Sequence, residues 1–191
     1  MELIFATNNA HKLREIREIA GDRYPVLSLA DVRIDAEIPE TSDTLEGNAV
    51  QKARFIHDRT GKDCFADDTG LEIDALDGRP GVYSARYAGE GCSFADNVRK
   101  VLAEMEGAAM RSARFRCVIC LILDGREHLF EGRVEGEILT APEGEGGFGY
   151  DPVFRPEGST ASFAVMPPEE KNRISHRGRA ARAMMDFLAS R

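Results

Sequence analysis

The sequence predicts an α/β protein with a mixed central sheet flanked by helices. Two apolar runs, residues 2–6 and 115–123, have the composition of buried strands. Capping residues precede several amphipathic segments, which predicts helices between the strands. Residues 113–123 and 127–138 flank a dipeptide, Asp124-Gly125, that is typical of tight hairpins. At least one strand pair is then antiparallel, and the sheet is mixed. With 191 residues, the chain suffices for one compact domain, residues 1–191.

The first strand leads into polar residues and then into a helix that Gly21 is expected to end. A strand followed by small polar residues and a helix N-terminus can bind phosphate, because free backbone N–H groups and the helix dipole face the anion. Lys12, in the first turn, would add a full positive charge. An ordinary Asn cap beside a surface lysine is the alternative interpretation, since the Gly-rich phosphate-loop pattern is absent.

A second, longer helix is predicted after a short strand at residues 26–29 and an acid-rich loop at residues 35–41. Asp43 and Glu46 have capping-box spacing, and the apolar stripe that follows extends to about Arg59. The polar positions of this helix are equally typical of a solvated face.

The strongest chemical signal lies in residues 64–71. Asp67 and Asp68 follow an apolar run, and we expect them at a strand end on the edge of the sheet. Neighbouring side chains of a strand point to opposite faces, so the two carboxylates should take different roles. Carboxylates held together need a cation, which favours a general base and divalent-metal ligand. The alternative is a polar turn, because Asp, Thr and Gly also end strands.

A third helix, a glycine-rich segment and a last helix that follows residues 175–178 complete the chain. Ser93 and Asp96 predict a helix that ends by Gly107. In residues 144–154, the glycines allow close approach of the backbone to a ligand, and aromatic rings could stack on a planar base; a linker with aromatic plugs is the alternative. Cations near predicted helix starts oppose the helix dipole and suggest an anionic partner, although a solvated face remains an alternative. These cations are Lys171, His176 and Arg177.

Composition excludes several classes of function. The net charge of −8 argues against nucleic-acid binding, which needs a basic surface. No apolar run is long enough to span a membrane, and no signal peptide is evident, so a cytoplasmic location is expected. Cys117 and Cys120 have CxxC spacing but lie in an apolar run that reads as a strand, where residues three apart face opposite sides. Buried structural cysteines are therefore favoured over a metal site.

Taken together, these segments resemble the inosine/xanthosine triphosphate pyrophosphatase family. Each motif is weak alone, but their joint order over nearly the whole chain is specific. Thr69 stands where many members carry Ser, and the hydroxyl is kept. The matching pieces are Thr7-Asn8-Asn9 with Lys12; Glu40; Glu46-Gly47-Asn48-Ala49 with Lys52; residues 66–71; residues 80–86; residues 146–152; and Lys171 with residues 175–178.

The resemblance implies a strongly twisted mixed sheet in two lobes with a deep substrate cleft, and a homodimer. It also implies Mg²⁺-dependent hydrolysis of non-standard purine nucleoside triphosphates (ITP, dITP, XTP) to the monophosphate and pyrophosphate, which clears them from the nucleotide pool. Asp68 would be the general base and a metal ligand, Glu40 the second metal carboxylate, and Asp67 and Glu46 less certain helpers. The implied triphosphate ligands are Thr7, Asn8, Asn9, Lys12 and Thr69, and Lys52 is a further substrate-binding residue. The residues implied around the base and its neighbouring phosphate are Phe148, Gly149, Tyr150, Asp151, Lys171, His176 and Arg177.

The residue chemistry agrees with this mechanism. Attack on the α-phosphorus needs charge neutralisation more than covalent help, which lysines and a metal supply. Donors aimed at the 6-oxo group of the base, from backbone N–H groups or Arg177, would leave adenine unpaired. An aspartic protease, suggested by Asp68-Thr69-Gly70, would be all-β and conflicts with the predicted helices. A nucleotide-binding regulator without turnover and a pyrophosphatase for modified pyrimidines remain as alternatives.

Overall fold

A computed structural model describes all residues, 1–191. Its seven strands form one mixed sheet in the order β2-β1-β3-β5-β6-β7, and β4 pairs with β3. The β1–β2 and β1–β3 pairs are parallel, whereas the β3–β4 and β6–β7 pairs are antiparallel. The strands are β1 (Leu3–Phe5), β2 (Val26–Leu27), β3 (Cys64–Ile73), β4 (Pro80–Gly81), β5 (Ser112–Leu123), β6 (Arg126–Ile138) and β7 (Phe154–Pro156).

Five α-helices accompany the sheet, and none is long and apolar enough to cross a membrane. The predicted cap at Ser93 is confirmed, with Asp96 completing a full capping box. The predicted hairpin is also confirmed: Asp124 and Gly125 both have positive φ, as its tight turn requires. The helices are α1 (Ala10–Ala20), α2 (Leu45–Thr60), α3 (Phe94–Glu104), α4 (Pro168–Ile174) and α5 (His176–Ala189).

The chain divides into two compact units, and the first comprises residues 1–68, 117–132 and 176–191. Its core is formed by β1, β5, α1 and α5, with Phe5 stacked on Phe65 of β3. Gly132 of β6 packs directly against the start of α5, since a Cβ there would overlap the carbonyl oxygen of His176. The absence of a side chain at Gly132 therefore lets β6 lie directly against the start of α5.

The second unit comprises residues 69–116 and 133–175. Its core packs α3 and the later part of β3 with an aromatic group, in which Phe115 meets Phe154 edge-on at 4.7 Å between ring centroids. On the sheet surface, Arg114 pairs with Asp74 and Glu135. These ion pairs satisfy charged residues on strands that alternate between buried and partly exposed positions.

Two predicted boundaries differ from the structure. Thr44, rather than Asp43, caps α2 and accepts a hydrogen bond from Gly47 N–H, so the capping-box prediction was displaced by one residue. Helix α3 ends at Glu104, three residues before Gly107. In both cases the neighbouring residue types are compatible with either boundary, and backbone hydrogen bonding decides between them.

Candidate active site

The acidic pair lies inside strand β3, not at its end. β3 continues through Asp67, Asp68 and Thr69 to Ile73. The predicted strand end at the acidic pair is therefore wrong, and so is the alternative of a polar turn. The strand can continue because each carboxylate finds polar partners on its own face. The expected division of the pair between opposite faces is confirmed. Asp67 meets residues of α1 and α5, and Asp68 meets residues of α2.

Asp68 is held by two side chains one turn apart on α2. Asn48 Nδ2 donates to Asp68 Oδ2 at 3.0 Å, and Lys52 Nζ lies 3.4 Å from Oδ1. Residues four apart on a helix share a face, so α2 presents both donors together. Burial raises the pKa of Asp68 above its usual value, and this effect outweighs the opposing influence of Lys52 and Lys12. A carboxylate with a raised pKa is a stronger proton acceptor once ionised.

Glu40 joins the same group through Lys52. Its carboxylate contacts Lys52 Nζ, and its side chain is 33 % exposed, whereas the Asp68 side chain is 9 % exposed. Burial lowers the pKa of Lys52, but Asp68, Asp67 and Glu40 outweigh that effect and raise it. The ammonium therefore stays charged between two carboxylates, one buried and one reaching solvent.

The carboxylates of Glu40 and Asp68 suit a small hard cation. No group of three or more His, Cys, Asp or Glu side chains in the chain is arranged to hold a metal ion. Mg²⁺ does not need such a cage, because it keeps several waters and binds through one or two carboxylates together with substrate phosphates. Glu40 and Asp68, both in contact with one ammonium, supply two oxygen donors of that kind.

Asp67 belongs to a separate buried cluster. Its Oδ1 accepts from Lys12 Nζ at 2.9 Å, and its Oδ2 accepts from Arg177 Nε at 3.1 Å. Arg177 also donates to Glu15 Oε2 at 2.5 Å. Burial raises the pKa of Asp67, but Lys12, Arg177 and Lys52 outweigh burial and hold that pKa well below its usual range. Asp67 is therefore ionised at neutral pH.

The start of α1 has the cap expected of an Asn. Asn9 Oδ1 accepts from the N–H groups of His11 and Lys12 at 3.0 and 3.1 Å, and Thr7 Oγ1 accepts from Asn9 N–H. Asn8 is exposed and donates to the carbonyl oxygen of Ala36. Two backbone donors predicted to face a phosphate are thus already bonded to the cap.

A third group forms in the glycine-rich segment. Asp151 Oδ2 accepts from Phe148 N–H at 2.8 Å and from Lys171 Nζ at 2.6 Å. The Lys171 ammonium lies 4.9 Å from the centroid of the half-buried Phe148 ring. Gly147 has φ +68°, and a Cβ there would overlap the Asp151 carboxylate. The glycine thus allows the chain to close around the Asp151–Lys171 pair.

Three predicted base-binding residues lie elsewhere. Tyr150 is buried in the core of the second unit, and its hydroxyl donates to the carbonyl oxygen of Ser84 at 2.7 Å, so its ring supports the segment instead of offering a stacking face. His176 and Arg177 begin α5 in the first unit, where Arg177 is 1 % exposed and contacts Asp67. Cations near helix starts are disfavoured by the helix dipole, and carboxylates of the same chain offset that effect. Asp151 is the carboxylate that pairs with Lys171.

Sequence reasoning missed Asn48 and Glu15 as members of these groups. Asn48 is fully buried and also accepts from Ser42 N–H, while Glu15 lies one turn after Lys12 on α1. The signal available was helical spacing, four residues from Asn48 to Lys52 and three from Lys12 to Glu15. The two CxxC thiols are buried in β5, and Cys117 Sγ lies 3.7 Å from Asp67 Oδ2.

Comparison with known proteins identifies the family. A sequence model of the Ham1 family matches residues 3–187. The chain belongs to the Ham1 family. Among its curated relatives, the dITP/XTP pyrophosphatase of Porphyromonas gingivalis is 55 % identical over 188 residues, covering 98 % of this chain and 97 % of the relative. The dITP/XTP pyrophosphatase of Bacillus subtilis is 46 % identical over 191 residues, covering 98 % and 96 %.

Solved Ham1 structures have the same fold. The HAM1 protein of Coxiella burnetii matches with a TM-score of 0.91 and 38 % identity, covering 100 % of both chains. The Ham1 protein of Staphylococcus aureus matches with a TM-score of 0.89 and 38 % identity, covering 100 % of this chain and 99 % of the other. The predicted mixed α/β fold and the resemblance to the pyrophosphatase family are both confirmed.

Proposed function

We propose that this Ham1 family member hydrolyses non-standard purine nucleoside triphosphates (ITP, dITP and XTP) to the monophosphate and pyrophosphate. The observation that carries the proposal is the buried Asp68, fixed by Asn48 and Lys52 with Glu40 on the same ammonium. The names of the curated relatives include two of these substrates, dITP and XTP. We propose that residues 1–191 work as one pyrophosphatase domain, as a homodimer in the cytoplasm.

Asp68 is the proton acceptor in this proposal. A water beside its carboxylate attacks the α-phosphorus, the bond to the bridging oxygen breaks, pyrophosphate leaves, and the water's proton passes to Asp68. The Asn48 amide keeps the carboxylate in one orientation, while Lys52 adds positive charge beside the reacting phosphate. No covalent intermediate is required.

Mg²⁺ is the proposed divalent cofactor, held by Glu40 and Asp68. When bound, it would neutralise charge on the triphosphate, which suits a reaction whose main demand is electrostatic. Lys12 and the exposed Asn8 would contact phosphate oxygens, while Thr7 and Asn9 shape the start of α1. Lys52 and the half-buried Thr69 complete the proposed triphosphate ligands.

For the base, we propose stacking on Phe148 and recognition of the 6-oxo group by backbone N–H groups near Gly149. Asp151 and Lys171 hold this segment in shape. Adenine, with an amino group at this position, would leave those donors unpaired and bind more weakly. In this proposal Arg177 supports Asp67 instead of contacting the base, and His176 lies next to it in sequence at the start of α5.

Product analysis tests the proposal. Purified protein with Mg²⁺ is incubated with ITP, XTP, dITP, GTP, ATP and dTTP, and phosphate products are separated. We expect pyrophosphate and monophosphate from ITP, XTP and dITP, with little from ATP. Orthophosphate release would mean attack at the γ-phosphorus and a different mechanism. Binding of ITP without turnover would favour the regulator, and preference for pyrimidines would favour the alternative pyrophosphatase.

Replacing Phe148 with alanine should raise KM for ITP about tenfold or more, because stacking of a base on an aromatic ring is worth about 1–3 kcal/mol. Steady-state kinetics measure the change. Phe55→Ala is the matched control, since Phe55 is a half-buried aromatic that packs against Arg59 on α2. An unchanged KM in Phe148→Ala would remove Phe148 from the base site.

A further inference from the structure

Asp67 is the centre of a charge cluster that the proposed chemistry leaves without a role. It is 1 % exposed, and each of its oxygens faces a cation, Lys12 at 2.9 Å and Arg177 at 3.1 Å. Its neighbour Asp68 faces a neutral amide, Asn48, and one ammonium on the other side of β3. The two adjacent carboxylates therefore have different surroundings, and we expect them to have different roles.

The surroundings of Asp67 do not suit a metal ligand. A divalent cation bound to either Asp67 oxygen would lie next to an ammonium or a guanidinium, and like charges repel strongly in a buried site. Asp68 differs because only its Oδ1 faces an ammonium, whereas its Oδ2 accepts from the neutral Asn48 amide. Cys117 Sγ lies 3.7 Å from Oδ2 and adds bulk on the same side. Nor does Asp67 suit a general base, because each of its oxygens already accepts from a cationic side chain.

Lys12 is the member of this cluster through which Asp67 can act on a ligand. Its side chain is 14 % exposed, and its backbone is fixed in the first turn of α1 by the Asn9 cap. A lysine side chain is flexible, and ordering it when a ligand binds weakens affinity. Asp67 removes that cost in advance by holding the ammonium in one place, and Arg177 holds Asp67.

We propose that Asp67 is a positioning residue that fixes the Lys12 ammonium where it meets a phosphate of the bound triphosphate, and that it binds neither the metal nor the attacking water. This inference rests on the proposed function. Because Lys12 would touch the phosphate in both ground and transition states, loss of Asp67 should appear mainly in KM.

A double-mutant cycle with Asp67→Asn, Lys12→Met and the double variant tests this, using ITP hydrolysis, calorimetric ITP binding and thermal melting. We expect Asp67→Asn to raise KM about tenfold or more in the wild-type background. In the Lys12→Met background, Asp67→Asn should raise KM by about threefold or less, because the lysine that Asp67 positions is absent. Arg17→Met and Asp31→Asn form the control cycle, an exposed cation–carboxylate pair that involves α1.

Equal KM effects of Asp67→Asn in both backgrounds would overturn the inference, as would a rise in the Mg²⁺ concentration needed for half-maximal activity. Lys12→Arg covers the case in which Asp67→Asn does not fold. This variant keeps the positive charge of residue 12 but changes its position, so we expect a several-fold rise in KM. An unchanged KM would also overturn the inference. If wild-type protein releases no pyrophosphate, the proposed function has failed instead.

Discussion

Replacing Asp68 with asparagine is expected to lower kcat about 10³-fold while leaving the fold intact, because loss of a general base costs about 10²–10⁴ in rate. Asparagine has nearly the same shape and keeps an oxygen that can accept from Asn48 Nδ2. Lys52 retains Glu40 as an ionic partner, so no buried cation is left alone. Pyrophosphate release from ITP gives the rate, and circular dichroism with thermal melting checks the fold.

Asp58→Asn is a suitable control for this experiment. Asp58 is exposed on the same helix, α2, that supplies Asn48 and Lys52, and it has no place in the proposed reaction. We expect wild-type kinetics from this control. A near-normal kcat in Asp68→Asn, with the variant folded, would contradict the assignment of Asp68 as the base.

Replacing Arg177 with methionine is expected to lower the free energy of unfolding by about 3–5 kcal/mol, the usual effect of removing one partner from a buried ion pair. Methionine fills most of the volume but leaves the Asp67 and Glu15 carboxylates without the guanidinium between them. Asp67 is 1 % exposed, so water cannot take the place of the lost partner. Urea or guanidinium denaturation measures the change.

The same substitution at an exposed pair serves as the comparison. Arg99 contacts Asp96 on the surface of α3, where solvent screens the interaction and either side chain can be hydrated. Arg99→Met should leave the denaturation midpoint unchanged within error. If Arg177→Met also left the denaturation midpoint unchanged, the cluster around Asp67 would not contribute to stability as the structure indicates.

Several elements could be predicted from local sequence because local physics decides them. Ser93 with Asp96 caps α3 since both partners lie within one turn, and Asp124-Gly125 closes the hairpin since its two residues accept positive φ. The separation of Asp67 from Asp68 followed from strand alternation alone. The end of β3 could not be predicted in this way. Buried carboxylates can lie inside a strand when polar partners reach them, and here those partners come from distant parts of the chain.

The sequence by itself determined the mixed α/β class, the hairpin, the cap of α3 and the division of Asp67 and Asp68 between opposite faces of a strand. Only the tertiary structure decided which cation belongs to which carboxylate. Lys12 and Arg177 are 165 residues apart (177 − 12) in the chain, yet both contact Asp67, while Lys52 contacts Asp68. Local patterns fix the face on which a side chain lies, because they act through the backbone. Partners across such separations depend on the packing of whole helices against β3, which no local pattern encodes.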